Sequence, residues 1–172
     1  MQITQQIHIE APIDQVWRVL AQDFGDVHQW ASAVHMSTAS STPKTSPGQG
    51  SKRQCETDLG AFRETVLEFD EKKKIFAYEA LGGPPIMRRG VNRWQLHGSG
   101  QRTRVSMDLR MELVPVLGFF LGPLMKGQMR KTLLEAGEEL KHYVETGAPH
   151  PRKIAALAKA QRKGRIPAQA AT

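Results

Sequence analysis

The side chain with the clearest chemical potential in this chain is its single cysteine, Cys55. A thiol becomes a nucleophile only when a neighbouring group lowers its pKa or takes its proton. Arg53 precedes Cys55 in a strand-like segment, but no basic partner can be assigned from the sequence. We therefore expect a buried, unreactive thiol. A lone cysteine also excludes a disulfide within the chain and a metal cluster of several cysteines.

Two histidines are the next candidates for chemistry. His28 and His35 lie seven positions apart, with Asp23 and Asp26 nearby. A metal site needs convergent ligands, and this spacing is not a recognised ligand pattern. The segment 48–50 has two glycines but lacks the remaining glycine spacing of a phosphate-binding loop. The sequence therefore predicts no metal site and no cofactor.

The net charge of +7 is concentrated at the C-terminal end. Residues 148–172 contain six basic residues and no acidic one, which leaves +1 for residues 1–147. The six are Arg152, Lys153, Lys159, Arg162, Lys163 and Arg165. We expect a near-neutral domain over 1–147 and a flexible, solubilising tail over 148–172. The alternative is a basic amphipathic helix, with weak contact of the tail to anionic membrane or nucleic acid.

Composition predicts a soluble, cytoplasmic protein. Hydrophobic residues make up 40% of 172 residues, enough for one domain with a real core. The N-terminus lacks the basic and apolar regions of a secretory signal. The most apolar stretch, 113–125, contains two prolines and two glycines and is shorter than the roughly 20 residues of a membrane span.

The first thirty residues predict a strand followed by two short helices. Isoleucine occupies three of the four alternate positions from 3 to 9, which is typical of a half-buried strand. Pro12 suits the first turn of a helix, and a second helical turn carries Trp30. The apolar positions between them share one helical face: Ile13, Val16, Trp17 and Leu20.

Antiparallel strands are predicted across residues 51–113. The segment 98–101, Gly-Ser-Gly-Gln, indicates a hairpin turn, and apolar and polar residues alternate from 105 to 113. With the turn centred on Ser99 and Gly100, pairing places Asn92, Trp94 and Leu96 on the buried face.

After Pro115 the apolar period changes to that of one long helix. Its stripe consists of Met125, Met129, Leu133, Ala136, Leu140 and Tyr143, and Gly147 marks its end. A run of strands with helices on one face predicts an α+β domain. For residues 113–125 we expect the buried start of this helix, in irregular or broken form; the alternative is a lid or a surface that touches membrane.

In this order the segments resemble the START-like, or SRPBCC, superfamily, and more narrowly the polyketide cyclase/dehydrase and lipid transport family. The resemblance is carried by Ile7 to Pro12 with Val16-Trp17, Phe24 to Val27 with Trp30, Arg63 to Val66 with Phe69-Asp70, and Gly118 to Gly147. It covers residues 1–147 and implies a helix-grip fold, related to that of the birch pollen allergen. In that fold a curved antiparallel sheet wraps around the long C-terminal helix, two short helices follow strand 1, and an apolar cavity lies between sheet and helix.

The implied cavity yields candidate site residues, for which packing in a solid core is the alternative. Candidate ligand-binding residues are Trp30, Tyr78, Asn92, Trp94, Met107, Leu109, Met125, Met129 and Leu133. Glu64 and Tyr78 are the candidates for catalysis, whereas Arg93 faces outward in this register. In the strand 61–69, alternation leaves two faces open. Either Phe62, Glu64 and Val66 or Arg63, Leu67 and Phe69 point inward.

Two functions follow from these expectations. The first is binding, transport or sequestration of a hydrophobic small molecule, such as a lipid, quinone or polyketide-like compound. The alternative is a polyketide cyclase/dehydrase-type enzyme that acts on a substrate held in the same cavity. In a third interpretation, the chain is an interaction protein whose basic tail docks it to membrane or nucleic acid.

Overall fold

A computed structural model describes residues 1–39 and 48–166. It contains seven strands in a single antiparallel sheet with the order β1-β7-β6-β5-β4-β3-β2. The strands are β1 Gln2–Ile9, β2 Val34–Ala39, β3 Lys52–Thr57, β4 Gly60–Asp70, β5 Ile75–Gly82, β6 Met87–Ser99 and β7 Arg102–Leu113. β1 is an edge strand that pairs with β7, so the first and last strands of the chain are neighbours in the sheet.

Helices follow β1 and β7. The helix α1, Ile13–Trp17, continues into a π-helical turn, Arg18–Gln22, and a 3₁₀ helix, Phe24–Gln29. The long helix α2 spans Pro115–Thr146, and Gly147 ends it with a φ of 72°. A left-handed residue at this position is a common helix stop, and glycine adopts it without strain. A third helix, α3, spans Pro151–Arg162.

The β6–β7 hairpin differs in register from the expectation but keeps the predicted face. Its turn lies at Gly100-Gln101, because Ser99 pairs with Arg102. The pairing is therefore shifted by two residues, and Trp94 lies opposite Met107. A shift of two leaves every side chain on its original face, since the side-chain period of a strand is two. Trp94 and Leu96 are both 2% exposed.

A β-bulge resolves the open question of which residues of β4 face inward. The register with β5 shifts between Val66 and Glu68. The bulge adds one residue, so Glu64 and Val66 before it and Phe69 after it all contact the core side. Leu67, 37% exposed, lies on the outside. Each of the two alternatives was therefore correct for part of the strand.

The C-terminal half of α2 covers the inner face of β1 and β7. Leu133, Leu140 and Val144 belong to the core cluster. The helix approaches the sheet closely at Gly137, where a Cβ atom would lie 3.0 Å from Met107 Cε and 3.2 Å from Ile7 Cγ2. Glycine permits this approach, which anchors the helix on the sheet.

The N-terminal half of α2 corrects the expectation of a buried, broken segment. The helix runs continuously through Pro123. Phe119, Phe120 and Leu124 are 79%, 75% and 76% exposed. Residues 118–132 include no fully buried position, and burial along α2 begins at Leu133. The first turns of the helix are therefore exposed to solvent instead of packed in the core. Within the described residues, the helices do not combine the length and apolarity that crossing a membrane requires.

The basic C-terminal segment forms a helix against the domain, where a flexible tail was expected. Pro at the first turn and His150 Nδ1, which accepts a hydrogen bond from the Arg152 amide at 3.1 Å, start α3. Lys153 Nζ donates to the Val34 carbonyl at 2.6 Å, and Arg152 forms ion pairs with acidic residues of α2. The last positions of the expected tail, 167–172, lie outside the described residues. The domain boundary at residue 147 stays a prediction.

Candidate functional site

Four neighbouring strands place polar side chains together on the inner face of the sheet. Arg53 of β3 pairs with Glu64 of β4, and Tyr78 of β5 pairs with Asn92 of β6. Val66, the next inward residue after Glu64, lies opposite Tyr78. Strand alternation therefore aligns all four polar residues on one face, beside the 3₁₀ helix.

The centre of this cluster is a buried ion pair. Arg53 Nε donates to Glu64 Oε2 at 2.5 Å, and Arg53 Nη1 donates to the Phe24 carbonyl. The guanidinium carbon lies 3.9 Å from the centre of the Phe24 ring, a cation–π contact. Burial lowers the pKa of Arg53, but Glu64, Cys55 and Tyr78 together raise it, and the pKa lies above its ordinary value. The Arg53 side chain is therefore a permanent buried charge, paired on one side and stacked on the other.

Cys55 adjoins the ion pair but remains a thiol. Its Sγ lies 3.6 Å from Glu64 Oε2, and the residue is 1% exposed. Burial, reinforced by the Glu64 charge, raises the pKa of Cys55 to about 12. At neutral pH almost no thiolate forms, so nucleophilic chemistry at this residue is disfavoured.

Tyr78 is held as a neutral hydrogen-bonding group. Its hydroxyl accepts a hydrogen bond from Asn92 Nδ2 at 3.2 Å. Burial, together with the nearby Glu64 charge, raises the pKa of Tyr78 above its ordinary value. The phenol therefore keeps its proton at neutral pH and can donate it in a hydrogen bond.

Three buried polar atoms near this cluster have no hydrogen-bond partner among the described residues: Gln5 Nε2, Asn92 Oδ1 and Trp94 Nε1. Gln5 of β1 and Trp94 of β6 both pair with Met107 of β7, which lies between them. Asn92 lies two residues before Trp94 on the same face of β6. Two further such atoms, Trp17 Nε1 and His35 Nδ1, belong to α1 and β2. Buried polar groups are almost always paired, so three on one patch call for an explanation.

The same patch of the inner face is reached by solvent. Gln5, Tyr78, Asn92 and Leu109 are half-buried, although they point to the side of the sheet that faces α2. Their neighbours Trp94 and Met107 are 2% and 1% exposed. The half-buried residues therefore mark a cleft surface beside a closed core.

The candidate ligand-binding residues divide between core and cleft. Trp30, Trp94, Met107 and Leu133 are buried members of the core cluster. Tyr78, Asn92, Leu109, Met125 and Met129 are half-buried. Tyr78, Leu109 and Met129 also pack against the core cluster. The structure thus brings the strand candidates together, while a ligand-binding role for any of them stays a prediction.

Sequence reasoning missed two residues of this region. Gln5 is a polar residue between Ile3 and Ile7 on an otherwise apolar strand face, which was a visible signal. Arg53 alternates with Cys55, so a buried thiol predicts that Arg53 shares its face. Its partner on the next strand could not be named without the register.

The histidines lie in separate local contacts. His28 Nδ1 is 2.8 Å from Ser37 Oγ, and His35 Nε2 is 3.2 Å from Asp58 Oδ1. Arg93 lies on the outer face, 3.3 Å from Glu68. Over residues 1–39 and 48–166, no group of three or more His, Cys, Asp or Glu side chains could hold a metal ion.

Three open grooves lie at the surface, with volumes of about 470, 550 and 340 Å³. The second follows the junction of β7 and α2, and the third lies across β1, β7 and β6, mostly on their outer face. Of the inner-face patch, Gln5 and Met107 line the third groove, whereas Tyr78, Asn92 and Trp94 line none of the three.

Comparison with solved structures confirms the fold. A START superfamily protein from Mycobacterium smegmatis is 17% identical, with a TM-score of 0.69 over 84% of this chain and 97% of that one. A protein from Thermus thermophilus is 19% identical, with a TM-score of 0.70 over 86% and 99%. Ara h 8.0201 is 11% identical, with a TM-score of 0.65 over 85% and 98%. At these identities the likeness establishes the helix-grip α+β fold and nothing about ligands.

The sequence itself matches a family model over most of its length. Residues 1–145 match the model described as polyketide cyclase / dehydrase and lipid transport. A comparison with curated proteins found no match. The match ends within the last turn of α2, so α3 lies outside it. The chain therefore belongs to the polyketide cyclase/dehydrase and lipid transport family, as the order of its segments predicted.

Proposed function

We propose that this domain binds a hydrophobic small molecule, such as a lipid, quinone or polyketide-like compound, between the inner face of the sheet and α2. The observation that carries the proposal is the set of three unpartnered polar atoms, Gln5 Nε2, Asn92 Oδ1 and Trp94 Nε1, in an apolar setting. Ligand sites typically combine an apolar lining with a few polar groups that fix orientation.

The chemistry of these atoms describes the ligand. Gln5 and Trp94 offer N–H donors, and Asn92 offers an acceptor. A carbonyl or hydroxyl group on an apolar body would pair with them, and its apolar part would contact Leu109 and the methionines of α2. Methionine side chains adapt to differently shaped apolar groups, which suits a site for such a ligand.

The alternative, a cyclase/dehydrase-type reaction in the same space, would need a group that takes and returns a proton. Glu64 could accept a proton, but its carboxylate is engaged by the Arg53 guanidinium. Tyr78 keeps its proton at neutral pH because burial raises its pKa. Both groups are thus suited to orient a ligand, and for this reason we favour binding.

The first test is native mass spectrometry of freshly purified full-length protein, followed by solvent extraction. We expect a co-purifying apolar compound that carries an oxygen function. A protein whose mass equals that of the polypeptide alone, and whose melting temperature is unchanged by a panel of fatty acids and quinones, would contradict the proposal.

A second test uses Gln5→Met, with Gln6→Met on the exposed outer face as the matched control. Removing a buried donor that has no acceptor should leave the free energy of unfolding equal or higher, by up to about 1 kcal/mol. Affinity for the extracted compound should fall about three- to tenfold, the value of one hydrogen bond. Gln6→Met should change neither quantity. If Gln5→Met destabilises the protein and leaves affinity unchanged, Gln5 serves packing alone.

A further inference from the structure

The first turns of α2 present an apolar surface to solvent. Phe119, Phe120 and Leu124 are each at least three-quarters exposed, and Leu121 is 45% exposed. The two phenyl rings pack edge to face, with centroids 5.3 Å apart. Between 118 and 132 no residue of the helix is fully buried. Clustered exposed apolar side chains, unlike scattered ones, mark an interaction surface.

Basic residues follow directly along the same helix. Lys126, Arg130 and Lys131 are exposed, and residues 115–134 contain no acidic residue. Only Lys131 has an acidic partner among the described residues, Glu135 at 3.9 Å. At a rise of about 1.5 Å per residue, the basic groups lie roughly 9–18 Å along the axis from the phenylalanines. Apolar and basic residues are therefore separated along the helix, with the apolar residues nearer its start.

This order matches the layers of an anionic lipid surface. An apolar segment enters the boundary between headgroups and acyl chains to a depth of about 5–10 Å, and basic side chains behind it meet the phosphates. A second copy of this chain fits less well. A two-fold symmetric contact centred on the phenylalanines would leave the basic groups of both copies at its margins, with no acidic group of residues 115–134 to pair with them.

We propose that the first half of α2 docks this protein on an anionic lipid bilayer, with Phe119, Phe120 and Leu124 inserted and Lys126, Arg130 and Lys131 at the lipid phosphates. The helix meets the bilayer at an angle, with its first turns inserted, and does not span it. The inference does not depend on the proposed ligand: it requires only the exposed face of α2, and it holds whether or not the inner cleft is filled.

The test is co-sedimentation of full-length protein with vesicles of phosphatidylcholine alone or with about 30% phosphatidylserine. We expect binding to the anionic vesicles, and at least tenfold weaker binding to neutral ones or at about 0.5 M salt. Two variants should each weaken binding at least tenfold: Phe119→Ser with Phe120→Ser, and Lys126→Gln with Arg130→Gln and Lys131→Gln. These side chains are exposed, so circular dichroism and melting temperature should be unchanged.

Matched controls separate this surface from other apolar and basic groups. Leu59→Ser removes an apolar side chain that is 49% exposed in the β3–β4 turn. Arg162→Gln with Lys163→Gln removes exposed charges at the end of α3. Both controls should bind anionic vesicles within twofold of the wild type. Wild-type binding that the phenylalanine variant leaves intact, or that the α3 variant abolishes, would overturn the proposal.

A self-association outcome is also distinguishable. If sedimentation velocity shows a dimer that Phe119→Ser with Phe120→Ser converts to a monomer, and no vesicle binds, the surface is an interface between copies and the proposal is wrong. Vesicle binding by a monomer supports it. Native mass spectrometry of the protein detects a ligand bound between the sheet and α2, and so tests the proposed function separately. Either proposal can therefore fail without the other.

Discussion

At the residue scale, the Arg53–Glu64 pair dominates the energetics of the inner face. Both side chains are nearly buried, and Arg53 has no route to water that would relieve its charge. Placing an ion pair in a core costs desolvation, but removing one partner costs more because the other charge is left uncompensated. The pair lies beside the half-buried polar groups Tyr78 and Asn92.

Replacing Glu64 should therefore be strongly destabilising. We expect Glu64→Leu to lower the free energy of unfolding by about 3 kcal/mol, measured by urea denaturation. Adding Arg53→Met should recover much of the loss, since it removes the unpaired charge. Glu68→Leu breaks the exposed Glu68–Arg93 pair and serves as the control, with a change below about 1 kcal/mol. A double variant as unstable as the sum of its single changes would show that the two residues act independently.

At the element scale, α3 converts a basic segment into part of the packed domain. Lys153 is 1% exposed, and its ammonium donates to the Val34 carbonyl. Burial lowers the pKa of Lys153 to about 8 from its ordinary 10.5, although the nearby Glu139 charge raises it. Between these two values the unfolded chain holds a proton that the folded protein lacks. Raising the pH through this window should therefore stabilise the folded state relative to a variant without this amine.

The corresponding measurement compares wild type with Lys153→Met at about pH 7.5, 9 and 10.5. We expect the stability of the wild type relative to the variant to increase by roughly 3 kcal/mol across the range. Referring each value to the variant cancels the titration of other groups, including Cys55. Lys159→Met, at an exposed position of the same helix, should show a flat difference. A flat difference for Lys153→Met as well would mean that its amine stays charged in the folded protein.

At the scale of the whole molecule, two helices pack against the sheet through different contacts. The second half of α2 packs on β1 and β7, whereas α3 contacts β2 and forms ion pairs with α2. Arg152 pairs with Glu138 and with Glu139, which is 1% exposed, and Arg165 pairs with Asp58. The family match covers residues 1–145 and ends before α3.

Truncation after residue 147 should leave a folded but weaker domain. We expect cooperative thermal unfolding with a melting temperature lower by about 5–10 °C, because Glu139 loses its Arg152 partner and the Lys153 contacts disappear. Truncation after residue 166 keeps every described contact and should leave the melting temperature unchanged. Loss of cooperative unfolding in the shorter chain would show that α3 is part of the minimal folding unit and that the boundary at 147 is wrong.

The sequence by itself determined the α+β class and the inner faces of β1, β6 and β7, because strand and helix periods are local properties of the chain. The family followed from the resemblance that the ordered segments carry. It also identified Glu64, Tyr78 and Asn92 as polar residues of the sheet. Only the tertiary structure decided which of them meet, since pairing depends on register and on the bulge in β4. The exposure of Phe119 and Phe120 likewise became known only from the tertiary structure. An apolar run predicts burial, but the run is buried only if another part of the fold packs on it, and the described structure leaves the first turns of α2 exposed.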